Sequence, residues 1–147
     1  MTSNLVKKLY LATIFFFVSI SLLSQSTDKL VKVNFEAVDK VYIVENSMKA
    51  LENNDIFVWT ETSHNVPLTI ESVDDKIYKT RTNYLFSTKL KKYALLGVIY
   101  YDEDGDVLQS FDYGNKSDLE NYKYNFPVIP NSETEAIIQK CTELLGR

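Results

Sequence analysis

The feature that most constrains this chain is a change of hydrophobic period, from strand-like segments over residues 31–113 to one helical pattern near the C-terminus. The segments are rich in Val, Ile, Tyr, Phe and Thr, which favour strands. They read LVKVNFEAV, KVYIVE, DIFVWTET, TNYLFST, KYALLGVIYYD and VLQSFDY, and the turn-like clusters NSMKALENND, SVDDK and DEDGD separate them. Most segments alternate apolar and polar residues, which is typical of an antiparallel sheet with one wetter face.

One segment, KYALLGVIYYD, does not alternate. We therefore expect a central strand that is covered on both faces. Gly97 lies in its middle and would cost stability unless another group packs close to its backbone.

The C-terminal pattern predicts a helix from about Glu133 to Leu145. Ser132 and Glu135 form an S-x-x-E capping box, and apolar residues, among them Cys141, then recur at three- and four-residue steps. Such a helix must bury its apolar stripe, and the available surface is a face of the sheet. The chain is thus predicted to be α+β, an antiparallel sheet of about six strands with one C-terminal helix packed on one face.

The N-terminus resembles a secretory leader. Lys7 and Lys8 precede an apolar run over residues 9–23, and small and polar residues, SQSTDK, follow. The run is short for a membrane span, which needs about 20 residues, although an uncleaved anchor is the alternative. We predict a signal peptide over residues 1–24, a single domain over residues 25–147, and an exported protein of the periplasm or cell surface.

The net charge and the cysteine content further restrict the functions that are compatible with this sequence. Removing the leader leaves 14 of the 16 basic residues against 20 acidic ones, a net charge of −6. That charge opposes nucleic-acid binding, which rests on cation–phosphate contacts. Cys141 is the single cysteine of the chain, so it is a buried thiol, an intermolecular bridge or one half of a lost pair.

The stretch DEDGD could be a calcium loop or a hairpin tip. An EF-hand needs acids at positions 1, 3 and 5, glycine at 6 and glutamate at 12. Asp102, Asp104 and Asp106 supply the acids, but Gly105 precedes the third acid and Tyr113 stands where glutamate is required. We predict a hairpin with Asp104-Gly105 in a type I′ turn, and no metal site.

Other chemistry is sparse in the sequence. The single histidine, His64, falls in a polar stretch that we interpret as a turn with a solvated imidazole. A nucleophile would require Cys141 beside His64, yet Cys141 lies on the apolar stripe of the helix. We therefore predict no enzyme activity and no cofactor.

Several stretches, taken in order, resemble the surface-adhesin protein E family of small exported bacterial domains. The stretches cover residues 41–141 and are VYIV with Ser47, IFVWTET, YLFSTKLKKYALL, YYDEDGDVLQS, and the helix start with Pro130, Asn131, Ser132, Glu135 and Cys141. The resemblance implies a sheet of about six strands with the C-terminal helix on its concave face, tied there by a disulfide. It also implies adhesion to host surface or matrix proteins.

Two departures from the family pattern affect these expectations. The strand cysteine is replaced, with Ser87 in or near its place, so the resemblance implies that Ser87 faces Cys141 as the remnant of a lost bridge. The lipid-attachment cysteine seen in some members is missing as well.

Two hypotheses for the function remain. The first is a non-enzymatic exported binding module, which an exposed aromatic patch on the sheet face opposite the helix would favour. The alternative is a periplasmic domain with a structural or small-ligand role, which a closed pocket of Phe and Leu between helix and sheet would favour.

Removal of the leader is directly testable. Because the apolar run is short and follows Lys7 and Lys8, the mass of the intact exported protein should correspond to a chain that begins near Gln25 or Thr27. A full-length product that stays embedded in the membrane would contradict this prediction.

Overall fold

The computed structural model of the protein describes residues 27–36, 39–114 and 124–146. The predicted signal peptide, residues 1–24, lies outside these ranges. Within them the chain forms eight strands and one α-helix, with a single turn of 3-10 helix at Glu45–Ser47. The strands are β1 (Leu30–Lys32), β2 (Lys40–Val44), β3 (Lys49–Ala50), β4 (Ile56–Leu68), β5 (Ile77–Ser87), β6 (Lys92–Tyr101), β7 (Val107–Asp112) and β8 (Phe126–Pro127), and the helix is α1 (Glu133–Leu144).

All strands belong to one antiparallel sheet, in the order β1-β2-β4-β5-β6-β7. The two short strands extend existing rows. β3 pairs with Ile56 and Phe57 of β4, beyond the end of β2, and β8 pairs with Lys92 and Tyr93 of β6, beyond the end of β7. The sheet thus has six rows, and the predicted α+β fold with one C-terminal helix is confirmed.

The expected turn around His64 is wrong, because β4 continues through His64, Asn65 and Pro67 to Leu68. Its pairing with β5 is regular as far as Ser63 and resumes at Leu68, with an irregularity between them. Proline cannot donate to a ladder, so it is tolerated where the ladder is interrupted.

One face of the sheet, here called the helix face, carries α1. Ile137, Ile138 and Cys141 are the buried residues of α1. They share a core with side chains of β2, β4 and β5 and with Val33; these are Val41, Ile43, Ile56, Val58 and Phe86. The predicted stripe is therefore buried on the sheet.

The opposite face, here called the outer face, has a smaller core. Phe57, Leu85, Ala94 and Leu96 form it, and Leu51, Trp59 and Tyr124 pack against them. Because neighbouring strand residues point to opposite faces, Phe57 lies on the outer face between Ile56 and Val58 of the helix face.

The expected central strand is β6, which lies between β5 and β7 and buries Leu96 on the outer face and Val98 on the helix face. A β-bulge also interrupts this strand next to Gly97. Asn83 of β5 pairs with Gly97 and Tyr84 pairs with Leu95, so Leu96 is an extra residue in β6. The close group expected at Gly97 is present, since an added Cβ would lie 3.0 Å from the main-chain oxygen of Phe111 and 3.8 Å from Cη2 of Trp59.

Gly97→Ala should lower the free energy of unfolding by roughly 1–3 kcal/mol, because the added methyl group meets a main-chain oxygen as well as the indole. Trp59 is the single tryptophan of the chain, so its fluorescence emission reports any displacement. Thermal unfolding and emission spectra measure both effects.

Gly105→Ala is the control for this experiment. Nothing lies within 4 Å of its added Cβ, and its φ of +90° makes the substitution costly through the backbone alone. This variant should lose stability without a change in Trp59 emission. A Gly97→Ala protein with wild-type emission and melting temperature would contradict the packing described here.

Candidate functional site

A groove opens where the outermost row of the sheet changes from β7 to β8. The Tyr113 N–H donates to the Leu96 oxygen at 2.9 Å, just after β7, and Phe126 pairs with Tyr93 in β8. Between these attachments lies a cavity of about 380 Å³, lined by Ala94, Leu95, Tyr113, Asn125 and Phe126.

The walls of the groove are aromatic and face solvent. Tyr113 is 52% exposed and Phe126 is 45% exposed. Phe126 stacks on Tyr93 with ring centroids 5.3 Å apart, and Tyr113 lies parallel to Phe111 at 6.2 Å. Two aromatic clusters therefore meet at one apolar groove, an arrangement that can bury the side chains of a partner.

The first of these clusters extends along β6 and β7. Tyr100 contacts Phe111 edge-on at a centroid distance of 6.0 Å. Partial burial, followed by the effect of Tyr113, raises the pKa of the Tyr100 hydroxyl, so Tyr100 stays neutral at physiological pH. Tyr100 pairs with Thr80 of β5. Thr80 lies four positions before Tyr84, which packs against the helix-face core, so Tyr100 also lies on the helix face. The exposed aromatic surface thus lies on the helix face, the face that carries α1.

The outer face has a different character. Its core is partly covered by Tyr124, whose hydroxyl donates to the carboxylate of Asp55. Further along the strands it carries ion pairs, in which Arg81 bonds to Glu61 and Asp28 at 2.8 Å each. The exposed aromatic patch that would favour the binding-module hypothesis therefore lies at the edge of the helix face, and not on the face opposite the helix.

His64 forms a polar cluster that the sequence did not reveal. Its imidazole lies 2.8 Å from the Asp39 carboxylate through Nδ1 and 2.8 Å from the Thr80 hydroxyl through Nε2. The side chain is only 6% exposed, which corrects the expectation of a solvated imidazole. The Asn65 N–H donates to the other Asp39 oxygen at 3.1 Å. The hydrogen bond from His64 is the main cause that lowers the Asp39 pKa.

The order carboxylate, imidazole, hydroxyl is that of a hydrolase triad. In the neutral ring, the Asp39 carboxylate can only accept, so the proton resides on Nδ1 and the Thr80 hydroxyl donates to Nε2. However, burial and the charge of Asp39 raise the pKa of the Glu133 carboxyl. Thr80 lies within β5 and His64 within β4, so the ring and the hydroxyl connect two neighbouring strands to Asp39. The cluster is better suited to joining Asp39 to β4 and β5.

The residues predicted as structural occupy several separate places. Asp104 and Gly105 are at the tip of the β6–β7 hairpin, but the turn type is corrected. Gly105 has φ +90° and Asp104 is not among the residues with positive φ, whereas a type I′ turn needs two such residues. Asp102 and Asp106 pair across a three-residue loop, the type I turn with a glycine bulge that is common in such hairpins.

Acidic side chains at this tip do not converge. Over residues 27–36, 39–114 and 124–146, no group of three or more His, Cys, Asp or Glu residues is placed to hold a metal ion.

The capping residues of α1 lie together. The Ser132 hydroxyl accepts from the Glu135 N–H at 3.3 Å, and the Glu135 carboxylate accepts from the Asn131 N–H at 2.7 Å. The carboxylate thus reaches one residue further back than in the standard capping box, in which it accepts from the N-cap itself. Asn131 has a φ of +59°, which turns its N–H toward the helix.

Ser87 and Cys141 are both buried, but the strand register separates them. Phe86 shares the helix-face core with Cys141, and alternation directs the neighbouring Ser87 side chain to the other face. The Ser87 hydroxyl accepts from the Leu90 N–H at 3.4 Å in the turn after β5. This register does not support the expectation, drawn from the family resemblance, that Ser87 faces Cys141.

Within the ranges that the structure describes, no helix combines the length and apolarity needed to cross a membrane. Comparison with known protein families, curated proteins and solved structures gives no match to this chain. The protein E resemblance therefore stays a prediction.

His64→Ala should destabilise the protein by about 1–3 kcal/mol at neutral pH, because it removes both ring hydrogen bonds from partly buried partners. A depressed carboxyl pKa stabilises the folded state above the unfolded value and loses that contribution as pH falls through the folded pKa. The difference between wild type and variant should therefore shrink below about pH 4, the ordinary range for Asp39.

Chemical denaturation at several pH values measures this difference. Ser63→Ala is a suitable control, since Ser63 precedes His64 in β4 and its side chain alternates to the outer face. An equal loss of stability at pH 7 and pH 3 would show that Asp39 is not the partner that matters.

Proposed function

We propose that this protein is an exported, non-enzymatic binding module that holds an extended segment of a host surface or matrix protein. The observation that carries the proposal is the pair of exposed aromatic side chains, Tyr113 and Phe126, on either side of one apolar groove. Aromatic residues are favoured at the centres of protein interfaces because they bury a large area at low entropic cost.

Export is the second part of the proposal and rests on the leader-like N-terminus. The family resemblance adds adhesion as the role, since protein E-like domains are surface adhesins. The non-enzymatic part of the proposal is supported by the His64 cluster, whose hydroxyl, Thr80, lies within a sheet strand.

A periplasmic small-ligand role is the second candidate, and the size of the groove favours it. The volume of about 380 Å³ falls within the range of about 300–1,000 Å³ that small-molecule sites occupy. Leu95 and Phe126 would contact such a ligand, and Asn125 would orient it through its side-chain amide.

Binding to immobilised matrix proteins tests the first role. Tyr113→Ala and Phe126→Ala should each weaken binding by about tenfold, equivalent to about 1.4 kcal/mol. Val66→Ala removes an apolar side chain that is 69% exposed and does not line the groove, so it should bind like the wild type.

Cell fractionation and protease treatment of intact cells test whether the mature protein reaches the surface. A protein confined to the periplasm would exclude direct adhesion and leave the small-ligand role. Equal binding by Tyr113→Ala, Phe126→Ala and Val66→Ala would exclude the groove as the binding surface.

A further inference from the structure

We infer that the outer edge of β7 accepts an extended, basic peptide segment as an additional antiparallel or parallel strand. This inference rests on the proposed function and specifies the chemistry and the binding mode of its partner. β7 is the last strand of the sheet and, in the described part of the chain, pairs with β6 alone.

The register shows which backbone groups of β7 face outward. The Tyr113 N–H donates to β6 at Leu96, and backbone groups alternate in direction along an antiparallel strand. The N–H groups of Phe111 and Gln109 therefore also face β6, whereas those of Ser110 and Asp112 point away from it. These outward donors are what an added strand would bind.

The side chains of β7 predict the pattern of the partner. Phe111 and Tyr113 lie on the helix face, next to the aromatic groove, and Ser110 and Asp112 alternate to the outer face. Side chains that lie opposite each other on paired strands interact. The partner should therefore place apolar or aromatic residues on the helix face and cationic residues opposite Asp112.

Charge also selects the partner. Residues 102–114 contain five acidic residues and no lysine or arginine; four of the acids lie in the β6–β7 turn and one, Asp112, lies in β7. The full chain carries a net charge of −4. Charges at a sheet edge discourage pairing with other chains. Here they repel a second copy of this acidic protein and attract a lysine- or arginine-containing segment, which combines repulsion of the wrong partner with attraction of the right one.

The opposite edge of the sheet, formed by β1, is less suited to strand addition. β1 has three residues, Leu30–Lys32, whereas β7 has six. A longer edge provides more outward backbone groups for a ladder, so β7 is the edge that can hold a peptide.

A ten-residue peptide that alternates lysine with valine and tyrosine is the probe. It should bind the full mature protein and slow amide hydrogen exchange at Ser110 and Asp112. The same peptide with glutamate in place of lysine should bind at least tenfold more weakly. Equal binding of the two peptides, or peptide binding without slower exchange at these two amides, would overturn the inference.

Ser110→Pro removes one outward donor while leaving the ladder to β6 intact, because proline is tolerated on the free side of an edge strand. It should weaken binding of the lysine peptide by about tenfold relative to Ser110→Ala, which keeps the donor. Asp112→Asn should weaken binding a few-fold and reduce its salt dependence. If Ser110→Pro lost its fold by circular dichroism, the exchange measurement on the wild type would still decide.

The two proposals can fail separately. If Tyr113→Ala loses binding to matrix proteins and Ser110→Pro retains it, the groove function stands and strand addition is wrong. If matrix proteins do not bind but the lysine peptide protects Ser110 and Asp112, the edge site stands and the adhesive role is wrong.

Discussion

Burial of the apolar stripe of α1 is the interaction on which the rest of this structure depends. A helix of 12 residues is marginal in isolation, and the sheet needs a cover for its helix face. Ile137 and Cys141 are fully buried together with Ile56 and Phe86, and burying one isoleucine side chain contributes about 1.5–3 kcal/mol. The position of α1 also brings Glu133 close to the His64 cluster, and no residue of α1 lines the groove at Tyr113 and Phe126.

The two faces of the sheet bury their apolar side chains in different ways. The helix face is apolar beneath α1 and aromatic beyond it, so its edge is the place where a partner can bury the most apolar area. The outer face combines a small core with the Arg81–Glu61 and Arg81–Asp28 ion pairs. Charged groups of that kind are costly to desolvate, and the outer face is the less favourable surface for an apolar partner.

The sequence predicts those structural features that local residue patterns determine. Period and propensity located the strands and α1, because each segment carries its own signal. The contacts of His64 could not be predicted from the sequence, because Asp39 and Thr80 are 25 and 16 residues away along the chain. Only strand pairing brings them together. The groove at Tyr113 and Phe126 and the face of Ser87 depend on register, and a shift of one residue reverses every side chain. The bulge at Leu96 is such a shift, and the sequence does not reveal it, because β6 carries apolar residues on both faces there.

Cys141 has a consequence for the conditions under which this fold can form. Burial raises the pKa of its thiol to about 12, so almost none of it is the thiolate that attacks disulfides or reacts with oxidants. With one cysteine in the chain, folding does not require a thiol oxidase or a disulfide isomerase to form an internal disulfide. The protein can therefore reach the same native state in a reducing or an oxidising compartment, and its C-terminal helix is held equally well in both.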